Sequence, residues 1–289
     1  MHISIFFCTF AALNPITIMR HSIRRISLSL FFTLCACAYT LPAFSWGQEG
    51  HRIVAKIAYD NMSKKARKQV DKILGPQGMI YQANWADEIK SDNVYPESIR
   101  DGWHFQDLNS GMSDSLVADA LTHYPAEGGN LFRVLDSLEV EMAGERAYRI
   151  NADHVLRFMI HLSADRYCPM HMAHMDDKGG NTVKMKWFGR DTNLHAVWDT
   201  KLIESQGYSY TEYAEILQNT YRDSKDRILR MTDEQLLIES YQLTEAIYRY
   251  QDVWDQNTYH YIYTWRQPME RQLYIAGLRL AQLLNSIYK

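Results

Sequence analysis

A chain of 289 residues with 46% hydrophobic content can bury a core as one large domain or two small ones. Its formal charge of −3, from 31 Lys and Arg against 34 Asp and Glu, argues against a protein that grips nucleic acid through phosphate neutralisation alone.

The first 45 residues stand apart from the rest. They carry Arg20, Arg24 and Arg25, no Lys and no acidic residue, followed by the apolar run ISLSLFFTLCACAYT from Ile26 to Thr40. LPAFS comes next, with small residues at Ala43 and Ser45. A basic segment, a short apolar core and an A-x-S end predict a signal peptide over residues 1–45, cut between Ser45 and Trp46. The apolar run is short for a membrane span. The expected destination is therefore secreted or periplasmic, with no stable membrane association after cleavage and a working domain over 46–289. Loss of the leader takes Lys plus Arg from 31 to 31 − 3 = 28 against 34 acids, a net charge of −6. A phosphate-ester substrate would then need its positive charge from bound metal. Cys8, Cys35 and Cys37 leave with the leader, so Cys168 remains alone and no internal disulfide is expected.

After the predicted cut comes WGQEGHRIVAKIAYDNM, where Ile53, Val54, Ile57 and Ala58 recur at helical spacing and put His51 near a helix start. Cleavage before Trp46 frees an α-amino group that can lose its proton to a metal, with the Trp46 carbonyl beside it; the alternative is an indole that merely packs. Ser63 caps a basic amphipathic helix, KKARKQVDKIL, which Gly75 and Pro76 end and whose cations read as a solvated face. In NWADEIKSD, Asp87 and Lys90 fall on one side of a helical turn, suiting a metal carboxylate beside a cation that meets phosphate. DGWHFQDL sets His104 between Trp103 and Phe105, with Asp107 three residues on. Residues from about Ser110 to Asn130 show little periodicity and read as a long connection, and Leu131 to Gly144 reads as an amphipathic helix.

Two H-x-x-x-D pairs follow. His161 and Asp165 project from one face of a helix that Asn151 can cap and Pro169 ends, letting His171 turn back from a loop. In NLHAVWD, Asn193 can cap and His195 and Asp199 share a face. Between them VKMKWF alternates like a short strand or hairpin arm. The remainder reads as three helices, TEYAEILQNTY, DEQLLIESYQLTEAIYRY and a last one from about Pro268 to Tyr288. The expected fold is mostly α-helical, a single domain with one short β-hairpin. Imidazole and carboxylate donors without thiolate suit zinc in a hydrolytic setting, and their number suits three ions with positions left open for water.

The order WGQEGH, WADEIK, WHF, HLSAD, PMH, GGN, NLHAVWD resembles the zinc-dependent, single-strand-specific nucleases of the mung-bean-nuclease type, distant relatives of the bacterial zinc phospholipases C. The resemblance spans residues 46–289 and implies the phospholipase C/single-strand nuclease-like fold. It implies three Zn2+ ions: one on Asp87, His104, His161 and Asp165; a second on Trp46, His51 and Asp165; a third on His171, His195 and Asp199. Lys90 matches a cation at the scissile phosphate, and Asp87 doubles as partner of the attacking water. Phe105, Asp107 and Asn181 match positions that stack on and hydrogen-bond the base 5′ of the cut. The implied substrates are single-stranded DNA and RNA and 3′-nucleotides, with 5′-phosphorylated products; no protein partner is inferable.

Departures from the family pattern lie around the bridging carboxylate. Ala164-Asp165 stands where Gly-Asp is usual, and Tyr167-Cys168-Pro169 where His-Gln-Pro is usual. Cys168 reads as a buried thiol or a fourth soft donor, and His174 has no assigned role. A zinc phospholipase C is the nearest rival reading, disfavoured by Asp199 where those enzymes carry Glu and by the base-site residues. A non-catalytic zinc-binding protein is the other, disfavoured by Lys90.

Overall fold

The computed structural model describes residues 46–92, 95, 96, 99, 102–144 and 151–289; the expected leader lies outside the described residues. Helix α1 (Gln48–Asn61) forms where expected, with Ile53, Val54, Ile57 and Ala58 fully buried along one face. Helix α2 (Lys64–Leu74) starts at Ser63, whose hydroxyl accepts the Ala66 N–H, and stops at Gly75 with φ +83°. Its Lys64, Lys65 and Lys68 are exposed, as a solvated face requires. A single helical turn, Trp85–Glu88, then carries Asp87.

The expected connection over 110–130 contains a helix, α3 (Asp114–His123), started by the Ser113 hydroxyl accepting the Leu116 N–H. Only Val117 and Ala120 of it are buried, a face too narrow to register as a periodic apolar stripe. Helices α4 (Leu131–Met142) and α5 (Ala152–Asp165) pack together. Asn151 gives α5 no side-chain cap, and α5 stops at Asp165 rather than at Pro169. Pro169 instead opens a 3-10 turn, Pro169–Met172, so His171 sits on a regular turn and not in an open loop.

Strands β1 (Lys184–Trp187) and β2 (Arg190–Asn193) pair antiparallel, Lys184 opposite Asn193 and Trp187 opposite Arg190. The hairpin delivers the chain into the NLHAVWD segment. Asn193 caps it through an acceptor contact to the Ala196 N–H of 2.7 Å. Leu194–Ala196 is α-helical, but Val197–Lys201 widens into a π turn, so His195 and Asp199 are not one regular α-turn apart.

Helices α6 (Tyr210–Thr220) and α7 (Asp233–Gln251) both begin with reciprocal capping boxes, Ser209 with Glu212 and Thr232 with Gln235. The last helix, α8 (Thr258–Ile287), starts ten residues before the expected boundary and carries Pro268 inside it. Tyr261, Trp265 and Met269, buried and four residues apart, hold the first turns against the core. That packing outweighs the one backbone hydrogen bond Pro268 cannot make.

The described residues from Trp46 onward form one compact unit, in which α8 makes its most extensive contact with α1. Gly277 sets their separation: a Cβ there would fall 2.6 Å from Cβ and Cγ2 of Ile57. Helix α6 packs on α1 from another side, and α5 meets α1, α4 and α8, which places His51 of α1 next to His161 and Asp165 of α5. The fold is thus mostly α-helical with one two-stranded hairpin, as expected. Gly277→Leu should overpack the α1–α8 seam and cost about 1–3 kcal/mol, read as a lower urea midpoint at unchanged m-value.

Candidate metal centre

Six segments converge on one buried cluster. His51 comes from α1, Asp87 from the Trp85–Glu88 turn, His104 from the segment after it, His161 and Asp165 from α5, His171 from the Pro169–Met172 turn, and His195 and Asp199 from the end of the hairpin. None of these eight side chains is more than 7% exposed. Asp165 Oδ1 lies 3.0 Å from His51 Nε2, and its Oδ2 lies 3.1 Å from His104 Nδ1. His161 Nε2 stands 3.4 Å from Asp165 Oδ2, 3.6 Å from Asp87 Oδ1 and 3.1 Å from His104 Nδ1. The rings of His51 and His161 stack at 3.8 Å.

Two sets of potential donors therefore share α5. His51, Asp87 and His161 bring one ligand atom each within 4.8 Å of one another, and so do His104, His161 and Asp165. A third set is Cys168, His171 and Asp199, at the same mutual reach. His195 stands beside it, its ring 5.2 Å from that of His171.

Backbone carbonyls orient the imidazoles. Nδ1–H of His161 donates to Ala83 O at 2.7 Å, that of His171 to His104 O at 2.6 Å, and that of His195 to Gly179 O at 2.8 Å. With Nδ1 so engaged, each Nε2 is left to present a lone pair, the arrangement metal-binding histidines use. Buried atoms without a hydrogen-bond partner include His51 Nδ1, His104 Nε2, His171 Nε2 and both carboxylate oxygens of Asp199. An unpaired buried carboxylate is costly unless a cation accompanies it. The donor set thus fits bound metal.

The electrostatics follow from this packing. Burial opposes charge on Asp87, but His161, Lys90 and His104 outweigh it and hold the carboxyl at about 2. Burial likewise works against Asp165, yet His161, His171, His104 and His51 bring it well below the usual range. Asp199 goes the other way: burial, then Asp87 and Asp165, push it well above the usual range, and Lys90 opposes them only in part. Burial lowers His161 and His195 to about 3, so both are neutral and available as ligands.

Trp46 is fully buried, and its indole N–H donates to Ala164 O at 2.8 Å. Gly47 N–H donates to Asp199 O at 2.6 Å. The start of the predicted domain is thus clamped between the two H-x-x-x-D segments, the Trp46 indole on Ala164 and the Gly47 N–H on Asp199.

A cavity of about 330 Å³ opens on the cluster, lined by Lys90, His104, Phe105, Asp107, His171, Asn181 and His195 among others. Lys90 Nζ is 2.7 Å from Asp87 Oδ1. Asp107 Oδ1 is buried without a partner, and burial, then Asp177, raises that carboxyl to about 8. Every residue singled out from the sequence for substrate contact therefore faces one space. The same wall includes Met170, Met175 and Lys178, which carried no signal in the sequence. The segment bearing His104 to Asp107 is pinned by Gln106 N–H to His171 O at 2.9 Å and by Gly128–Gly129. Gly129, at φ +102°, lets the backbone pass where a Cβ would sit 2.1 Å from Phe105 O. His174 does not join the cluster: its Nε2 meets Glu245 Oε1 at 2.6 Å and its ring stacks on Tyr248 at 3.8 Å.

Comparison with known proteins places this geometry. Residues 46–289 match the S1/P1 Nuclease family. Endonuclease 2 of Arabidopsis thaliana is 30% identical over 173 residues, 55% of this chain and 57% of that protein. Nuclease S1 of Aspergillus oryzae is 28% identical over 196 residues, covering 63% and 67%. Endonuclease 3 of Arabidopsis thaliana is 25% identical over 276 residues, covering 85% and 90%. The matched stretch spans less than two thirds of Endonuclease 2, while the family match covers all of the described domain. With its buried His/Asp cluster and adjoining cavity in the same 244 residues that the family match spans (289 − 45), this chain belongs to the S1/P1 nuclease family.

Proposed function

We propose that this protein is an exported, zinc-dependent nuclease that hydrolyses phosphodiester bonds of single-stranded DNA and RNA to 5′-phosphorylated products and also removes phosphate from 3′-nucleotides. The observation that carries this reading is the junction of two unlike surfaces: a wall of His and Asp donors with unpaired buried atoms, and a cavity lined by Lys90, Phe105, Asp107 and Asn181. The donors are imidazole and carboxylate over most of the cluster, a set suited to zinc.

In this reading Asp87, His104, His161 and Asp165 hold one ion, the Trp46 amine and carbonyl with His51 and Asp165 a second, and His171, His195 and Asp199 a third. When bound, zinc supplies a water of lowered pKa and positive charge opposite the phosphate. Asp87, ionised beside Lys90, orients the attacking water and receives its hydrogen bond. Lys90 Nζ, at the cavity wall, offsets charge that builds on the phosphate oxygens as the bond to the 3′ oxygen breaks. Phe105 offers a ring on which any base can stack, and Asp107 and Asn181 offer polar atoms to its edge. A base must leave a duplex to enter such a cavity, which accounts for the preference for unpaired strands.

His161→Ala should abolish hydrolysis of single-stranded DNA and of 3′-nucleotides and lower the zinc content measured by mass spectrometry; full activity in this variant overturns the assignment. Lys90→Gln should lower kcat by about 10²-fold at unchanged zinc content. Asp199→Asn should raise the Tm of chelator-treated protein, because it removes an unpaired buried carboxylate, while weakening zinc retention. Intact-mass measurement of exported protein should place the amino terminus at Trp46; a terminus elsewhere removes the amine donor.

A further inference from the structure

The third donor group differs from the set the family resemblance implies. Cys168 Sγ, a His171 ring nitrogen and an Asp199 carboxylate oxygen lie within 4.8 Å of one another. Cys168 and Asp199 are fully buried, and His171 is 3% exposed. His171 Nε2 and both Asp199 oxygens lack hydrogen-bond partners, and His171 Nε2 is 3.9 Å from Asp199 Oδ1, too long for a hydrogen bond. Two donors to one zinc ion stand at most the sum of their bond lengths apart, about 4.4 Å for a thiolate with an imidazole. The observed spacing approaches that reach before any side chain adjusts.

The local chain aims the sulfur. Cys168 precedes Pro169 and takes the extended conformation that position imposes, φ −79° and ψ 119°, at the start of the turn that carries His171. Burial, then Asp199, push its thiol up, while the backbone N–H groups of Met170 and His171 act in favour of the thiolate.

We propose that Cys168 is a metal ligand which, with His171, His195 and Asp199, makes the third centre a thiolate-containing site. The proposal rests on the reading that His171 and Asp199 hold an ion. On binding, the Cys168 S–H proton goes to solvent as the metal–sulfur bond forms. Four protein donors make a tetrahedral shell, the pattern of a structural ion. The centre then ties the Pro169–Met172 turn to the Val197–Lys201 turn, and hydrolysis falls to the pair of ions around Asp165. A soft sulfur donor also favours Cd2+ and Zn2+ over hard cations there.

Cobalt substitution tests this without reference to activity. The Co2+-loaded protein should show a near-ultraviolet sulfur-to-metal charge-transfer band that Cys168→Ser removes, with Cd2+ affinity at this centre falling at least about tenfold. A fully cobalt-loaded wild-type protein without that band overturns the proposal, as does a band that persists in Cys168→Ser. If Cys168→Ser fails to fold, the wild-type spectrum alone decides. His171→Ala isolates the underlying reading: loss of one ion upholds it, whereas unchanged metal content overturns it together with the proposal.

Discussion

A carboxylate with no exposure to water and four imidazoles around it is the constraint on which the rest of this structure depends. Asp165 lies 3.0 to 3.9 Å from ring nitrogens of His51, His104, His161 and His171. Those histidines come from four separate segments, so α1, the His104 segment, α5 and the Pro169–Met172 turn must meet wherever Asp165 is buried. The apolar seam of α1 with α8 and the packing of α5 on α4 provide the burial. The electrostatics in turn decide which side chains can stand there: neutral imidazoles at low cost, carboxylates only with cationic company.

Asp165 and Asp199 divide along that line. Both are fully buried in one cluster, yet imidazoles hold the first well below the usual carboxylate range while burial drives the second well above it. Hydrogen bonds and near contacts already offset charge at Asp165, whereas Asp199 has two unpaired oxygens. A cation would therefore offset more unpaired charge on the Asp199 side.

Much of this was legible in the chain. Apolar spacing located α1, α2, α4 and α7 because each buries one face of a regular helix, and the alternation of VKMKWF marked the hairpin. The H-x-x-x-D spacing marked His161 with Asp165 because α5 is regular there. It marked His195 with Asp199 for a partly wrong reason, since a π turn rather than an α-turn joins them. Helix α3 and the first ten residues of α8 escaped notice because their order comes from tertiary packing, on Val117 and Ala120 in one case and on Tyr261 and Trp265 in the other. The place of Cys168 beside His171 and Asp199 could not be read from spacing, because it depends on how the Pro169 turn folds back. Nor could the need for Gly129, which is set by a backbone passing from another segment.

The hydrogen bond from His171 Nδ1 to the carbonyl of His104 joins two centres through a single peptide group. His104 faces Asp165, and His171 faces Asp199. On the reading that both sides hold ions, an ion that moved His104 would also move the acceptor that orients His171. Any change in affinity that one ion then made at the other position would, by linkage, be matched in the reverse direction.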